Sequence, residues 1–396
     1  KANKYKYLAA VGLCFICIVA LNRLLRQNNW FSKKFEEPNL FSLLDLVALG
    51  TICDIVPLTD LNRSFVYQGL KIMALRTNIG LKAISDLAAI DEAPSTYHAG
   101  FIIGPRINAG GRVGASNLGA KILCTNNPEE AEMIANKLES HNKERQSIET
   151  NIFEIAITQI EEKNLTLEPV IIVSGLGWHP GIIGIVASRL KDRYSKPSCV
   201  ISFAETSDDS FGTGSGRSLE GIDLGQVIIA AKQMCLLEKG GGHAMAAGFT
   251  LKRGMLPEFI NFMNSRLGEQ IRNRNIVPSL MIDDFIQVGG VNTELISDLQ
   301  RLAPYGAGNP EPRFVLPKVI LKWSKIVGSN HVSCKIQDML GNSLNGIAFR
   351  CVGTPLADLL INSVGVTVDV AGKLRINTWH GTSTPQIVID DVSRIY

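Results

Sequence analysis

Four glycine-rich clusters hold most of the residues in this sequence whose types and spacing can do chemistry. The first is Gly104-Pro105-Arg106-Ile107-Asn108-Ala109-Gly110-Gly111-Arg112-Val113-Gly114. Glycines let the backbone approach a ligand closely, and two guanidinium forks match phosphate oxygens. A tight turn with surface arginines would use the same residues. The second, Gly177-Trp178-His179-Pro180-Gly181-Ile182-Ile183-Gly184, follows a strand-like run and opens a helix, so its amides form an anion site. It lacks the spacing of a dinucleotide or P-loop motif, and His179 could instead bond to the helix backbone. The third runs Gly212-Thr213-Gly214-Ser215-Gly216-Arg217-Ser218 and reads as a glycine-hydroxyl-arginine loop suited to phosphate. In the fourth, Lys239-Gly240-Gly241-Gly242-His243-Ala244-Met245-Ala246-Ala247-Gly248-Phe249, a tightly packed helix start would present one imidazole. Three consecutive glycines are costly in backbone entropy, which favours a functional His243. No Ser-His-Asp pattern, HExxH or Cys-rich zinc spacing is present. The clusters therefore offer arginine, histidine and amides to a phosphate, but few carboxylates to hold the metal that phosphodiester cleavage normally needs.

Elements of alternating type must carry these clusters. Val- and Ile-rich runs alternate with helical patterns, which is the signature of α/β architecture. Leu43 to Pro57 is strongly apolar and holds two isolated carboxylates, Asp45 and Asp54, and Asn62 to Leu75 reads as an amphipathic helix. Asn127-Pro128-Glu129-Glu130 is a helix start with an Asn cap, Pro in the first turn and acids favoured by the dipole. No Gly or Pro intervenes before Glu162, so one long helix with a thin apolar stripe is expected to bridge two domains; two helices with a hidden turn are the alternative. Pro169 to Ser174 and Ser198 to Phe203 read as buried parallel strands around a helix from about Ile182 to Tyr194. Residues 278–315 read as a linker region. Beyond them five short strands (319–323, 332–336, 344–349, 364–370 and 386–389) fit a small barrel of OB type.

Composition excludes other classes. The 396 residues are 45% hydrophobic and 19% charged, without low-complexity tracts, which argues against disorder and fits two or three domains. The net charge of +3 is borne entirely by 316–396, with eight Lys/Arg against five Asp and no Glu. That surplus can track a phosphate backbone, with Trp323, Trp379 and Phe349 as candidates for base stacking, although core packing suits Phe349 better. The eight cysteines are scattered through apolar runs and read as buried thiols in a reducing, cytoplasmic compartment. Cys14 and Cys17 lack partner ligands and read as core residues on a helix. The apolar run Tyr7–Leu21 falls short of the about 18 to 20 residues of a membrane span, so a buried core helix is expected and no membrane. The chain begins on Lys1, not Met, as though its front were missing.

The stretches LLDLVALGTICDIVPL, NRSFVYQGL, GPRINAGGRVG, GWHPGIIGIVASRL, GTGSGRS, GGGHAMAAGF and LAPYGAGNPEPRF, in this order, resemble the bacterial RecJ family of single-strand-specific 5′-to-3′ DNA exonucleases, in the DHH phosphoesterase superfamily. The resemblance spans most of the chain and implies a multidomain α/β fold. Residues 1–127 would be the C-terminal part of a DHH domain, 128–164 the connecting helix, 165–277 a DHHA1 α/β domain and 316–396 a five-stranded OB-like β-barrel. It implies a catalytic and metal-ligand role for Asp54, with Asp45 in reserve, and a catalytic role for His243. Arg106, Arg112, His179, Ser215, Arg217, Ser218, Gly241 and Gly242 would contact substrate, with Trp323 and Trp379 on the barrel. Single-stranded DNA is the implied partner, with a helicase and a single-strand-binding protein as further partners in DNA repair and recombination. A two-metal centre of Mn²⁺ or Mg²⁺ is implied as well. The family's earlier acidic motifs and Asp-His-His triplet are expected before Lys1, since no Asp-His-His occurs and no His precedes His98. These residues alone are then expected to lack nuclease activity. A non-catalytic strand-binding remnant is the alternative, and a short-oligonucleotide phosphodiesterase is disfavoured by the barrel.

Overall fold

The computed structural model describes residues 5–274, 279–379 and 382–395, with backbone only at 273, 274 and 379. Two compact units result, Lys1–Gly104 with Leu280–Tyr396, and Pro105–Ser279.

In the first unit, α1 (Ala10–Gln27), α2 (Leu44–Cys53), α3 (Asp60–Ala74) and α4 (Ile79–Leu87) precede a π-helical turn, His98–Ile103. Helix α1 buries one face: Leu8, Val11, Phe15 and Ile16 pack on Leu44, Val47 and Phe65. Its other face, with Leu13, Val19, Leu21 and Leu24, is exposed. The expectation of a buried core helix is thus corrected. The 18-residue helix is long and apolar enough to cross a membrane by length and composition, and only 17% of it is buried. Cys14 and Cys17 are exposed with it, not in a core, because helical periodicity turns them away from α2 and α3.

The second unit begins with α5 (Gly104–Val113), α6 (Leu118–Cys124) and α7 (Pro128–Glu162). Helix α7 is a single unbroken 35-residue helix, capped by Asn127 Oδ1 accepting from the Glu129 and Glu130 amides. Strands β1 (Ile171–Leu176) and β2 (Ser198–Phe203) are parallel and joined through α8 (Pro180–Tyr194), as their buried runs require. Strand β3 (Phe211–Arg217), α9 (Leu224–Gln233), β4 (Lys239–His243), β5 (Ala246–Lys252) and α10 (Leu256–Arg274) complete the unit, with sheet order β1-β2-β3-β5-β4. Helices α7 and α8 cover one face over β1 and β2 through Ile152, Ala156, Ile182, Val186 and Val200. The opposite face packs on α9 and α10 through Cys199, Phe203, Leu224, Phe249 and Phe259.

The chain then returns to the first unit through β6 (Asp284–Phe285) and α11 (Thr293–Gln300). Five strands form the barrel: β7 (Phe314–Val327), β8 (His331–Gln337), β9 (Ser343–Ala348), β10 (Thr367–Trp379) and β11 (Thr382–Arg394), with α12 (Pro355–Asn362) between β9 and β10. Pairing of β10 with β7 closes them, so neither strand is left as an open edge. The region read as a linker is partly barrel: Val288, Val291 and Ile296 lie in one core with Leu316, Val332 and Ile387. The Gly306–Gly308 loop packs on Pro57 and Leu58; a Cβ on Gly306 would lie 2.8 Å from the Leu58 side chain.

Candidate nucleic-acid interface

Two clusters expected as a loop and a helix start are instead neighbouring strands. In β3 the residues alternate, so Gly212, Gly214 and Gly216 turn inward while Thr213, Ser215 and Arg217 turn to the other face. The inward glycines are required by packing. A Cβ on Gly214 would lie 2.1 Å from the Phe249 ring, and one on Gly212 2.4 Å from Phe203. A period of two explains the spacing, which glycine content disguises as a loop. Likewise GGGH is the edge strand β4, hairpinned to β5.

Strand register assembles the predicted residues. Arg217 is opposite Ala246, which is opposite His243; one pleat further, Ser215 is opposite Gly248, which is opposite Gly241. Directly opposed residues share a face, so Ser215, Arg217, Gly241 and His243 belong to one surface about two strand spacings wide. That surface is open. A Cβ added to Gly241 or Gly248 would meet nothing within 4 Å, so internal packing does not demand glycine there. Gly242 differs: its Cβ would lie 2.3 Å from the Ala246 carbonyl, so it is held by the hairpin. His243 is exposed, and its Nδ1 accepts from the Met245 amide at 3.3 Å. In the neutral ring the proton then sits on Nε2 as a free donor.

Arginines converge on the same edge. Arg217 Nη1 donates to Ser215 Oγ at 3.0 Å and to the Gly216 carbonyl at 2.9 Å. Gly184 of α8 abuts both side chains, since a Cβ there would lie 3.0 Å from Arg217 Nη2 and from Ser215 Oγ. Arg112 Nη1 donates to the Gly181 carbonyl at 2.8 Å. Burial, with Arg112 nearby, depresses the Arg217 guanidinium pKa; burial and then the Arg145 charge depress that of Arg112, partly offset by Glu149. Arg112 itself is exposed, with its guanidinium tethered to the Gly181 carbonyl. Two cations held close, with no carboxylate salt-bridged to either among the described residues, constitute an anion site. His179 caps α8, its Nδ1 accepting from the Gly181 amide at 3.1 Å, so it shapes the helix start beside Arg112.

Two predicted residues fall elsewhere, and a third is not described beyond its backbone. Ser218 is buried, donating to the Ile222 carbonyl at 3.0 Å, so its hydroxyl cannot meet a substrate. Arg106 forms a half-buried ion pair with Glu139 of α7 at 2.7 Å, which compensates its charge. The side chain of Trp379 lies outside the described residues.

Asp54 caps the C-terminus of α2 and is exposed. Asp45, nine residues earlier, is 1% exposed, with Oδ1 accepting from the Leu46 amide and Oδ2 unpartnered; burial pushes its carboxyl pKa up. Nine helical residues place the two about 13 Å apart along the axis and on opposite sides, so they cannot share an ion. Among the described residues no three His, Cys, Asp or Glu side chains come together. The described residues therefore do not by themselves supply the several ligands that each ion of a two-metal centre needs.

The barrel carries a second surface. Trp323, Lys335, Asn345, Gln386 and Arg375 lie in one row across β7, β8, β9, β11 and β10, and Lys325, Ser333, Ile347, Val388 and Lys373 in the next. Neither row contains a carboxylate. Trp323 is 40% exposed with Lys325 Nζ 5.4 Å from its ring, and Arg375 is held by Glu311. Phe349, expected in the core, is 53% exposed, because it follows the last β9 residue; it meets His331 edge-on. Lys335, Asn345, Gln386 and Lys373 come from four strands, and Gly248 from within a small-residue run. Only the period-two alternation could have singled them out.

Both domains that carry these surfaces match known families. The DHHA1 domain family matches residues 167–269, and the RecJ OB domain family matches 282–391. The chain is similar to proteins named single-stranded-DNA-specific exonuclease RecJ from Salmonella typhimurium (33% identity) and Escherichia coli (34%), in each case over 98% of this chain and 67% of the relative. A crystal structure of RecJ in complex with Mn²⁺ from Thermus thermophilus superposes with a TM-score of 0.75 at 26% identity, covering 91% of this chain. The chain spans half the length of that protein.

Proposed function

On the premise that this chain belongs to the RecJ family of single-stranded-DNA-specific exonucleases, we propose that it supplies the strand-holding surfaces of a 5′-to-3′ exonuclease acting on single-stranded DNA in repair and recombination. The face carrying Ser215, Arg217, Gly241 and His243 holds backbone phosphates near the end to be cleaved. The barrel rows hold the 3′ remainder of the strand by cation tracking and stacking on Trp323. Cytoplasmic residence is supported by eight cysteines that are all free.

One observation carries this: two glycines with nothing near them, Gly241 and Gly248, lie flush among a serine, an arginine and an imidazole. Bare backbone beside anion-binding groups is what a nucleotide chain needs for close contact. Arg217 offers a charge-assisted fork, Ser215 a hydroxyl and His243 an Nε2 proton. Divalent metal, with which the Thermus relative was crystallised, would activate water in such an enzyme. The described residues do not form its site, so no cleavage step is assigned to them. Asp54 is the residue we propose as a metal ligand, because it is the exposed carboxylate of the pair.

Fluorescence anisotropy with a 5′-phosphorylated oligothymidylate tests the binding. Arg217→Gln should weaken it about 10- to 100-fold, the value of a charge-assisted hydrogen bond. Binding should fall steeply with salt. Unchanged affinity in Arg217→Gln would overturn the proposal. Incubation of this chain with Mn²⁺ and labelled strand should give no metal-dependent turnover; turnover would show that its residues do assemble a centre.

A further inference from the structure

Helix α7 contributes charged residues beside the anion site that face little solvent and carry no assigned role. Arg145 is buried. Its Nη1 donates to Glu149 Oε2 at 2.8 Å, and its Nε and Nη2 donate to Asn142 Oδ1 at 3.3 and 3.0 Å. Three of the five guanidinium N–H groups are thereby used and the residue is buried, so Arg145 is held within the protein. Glu149 uses its second oxygen to accept from Arg189 Nη1 of α8 at 3.0 Å. The Arg189 guanidinium lies 3.9 Å from the Phe153 ring centroid, back on α7. Glu149 thus ties α7 to α8 about two turns beyond Gly181, the residue whose carbonyl receives Arg112. The early α8 residue Gly184 abuts Arg217 and Ser215. Sliding or rotating α8 would therefore move the carbonyl that holds Arg112 and the wall against which Arg217 rests. Leaving Arg145 without its carboxylate would also put an uncompensated buried charge beside Arg112.

We propose that the Arg145–Glu149 pair, with Arg189, is a positioning device: it locks α8 onto the long helix and so holds Arg112 and Arg217 where they meet the nucleotide backbone. This rests on the phosphate-binding role of that face given above.

The test compares oligothymidylate affinity of the full chain and its variants at one salt concentration. If Glu149 acted only through its charge, Glu149→Gln would bind the polyanion more tightly, since a negative charge is removed. Positioning predicts the reverse, an affinity about five- to tenfold weaker. It further predicts that Glu149→Gln adds little in an Arg112→Gln, Arg217→Gln background, because the groups it places are already gone. Should Glu149→Gln fail to fold, Arg189→Gln, whose side chain is 42% exposed, breaks the same tie; because it also removes a cation, it is read in the Arg112→Gln, Arg217→Gln background, where positioning predicts little further loss and a pure charge effect predicts an undiminished one. Equal or tighter binding in the folded variant, or full additivity with the double background, overturns the proposal. If Arg217→Gln weakens binding while Glu149→Gln does not, the positioning role fails and the phosphate site stands. If neither matters, the site itself is wrong.

Discussion

Adding one methyl group to each face of the same sheet should have opposite consequences. Gly248→Ala places a Cβ on the open face, where no atom of the protein lies within 4 Å. The folded state is not strained, and the unfolded chain loses conformational freedom. Stability should therefore rise by about 0.5–1 kcal/mol, or about 1–4 °C in the melting of this unit. A strand of DNA lying on that face would be lifted by about the 1.5 Å of the new bond. A hydrogen bond of about 2.9 Å to Ser215, Arg217 or His243 then exceeds the working limit of about 3.5 Å. Losing one or two such bonds weakens binding about 10- to 100-fold. Gly214→Ala, two residues along β3 from Arg217's neighbour Gly216 but facing inward, would put its Cβ 2.1 Å from Phe249 and should destabilise by about 1–3 kcal/mol or more. Thermal melting and anisotropy on both proteins provide the check. A Gly248→Ala protein that is more stable and binds DNA undiminished would refute the assignment of this face, since nothing would then use the bare backbone.

Trp323→Ala on the barrel should cost about 1–3 kcal/mol of strand affinity with little change in the salt slope, whereas Lys335→Ala should reduce that slope by about 0.7. Arg106→Ala leaves Glu139 with only the exposed Lys143, 3.8 Å away, and should lower stability by about 1–3 kcal/mol, a folding defect visible by melting without DNA. A disulfide-exchange probe at neutral pH should label Cys14, Cys17, Cys124 and Cys235 promptly and spare Cys199, Cys334 and Cys351 until unfolding. Burial pushes the Cys199 and Cys334 thiols up to about 12 from 9.0. The folded state therefore holds their protons longer than the unfolded state. Their contribution is complete below about pH 9 and is lost between about pH 9 and 12, and Cys199→Ala should flatten that decline in a pH series of denaturant melts.

Local chemistry was legible from the residues alone. The Asn127-Pro128 start and the absence of Gly or Pro marked α7 as one helix, because caps and breakers act within a single turn. The runs at Ile171 and Ser198 marked parallel strands, because strands buried on both faces leave no polar alternation. The residue types at Arg217 and His243, which suit a phosphate, were equally visible. What the tertiary structure decided was facing and company. Register across β3, β5 and β4 put Arg217 in line with His243 and left Ser218 inside, a choice made by strand pairing between residues far apart in the chain. Long-range packing gave Arg106 a carboxylate from α7, exposed the outer side of α1 and drew Val288, Val291 and Ile296 into the barrel core. Composition states which groups are available; which of them meet a ligand and which meet each other depends on burial, and burial is a property of the whole chain.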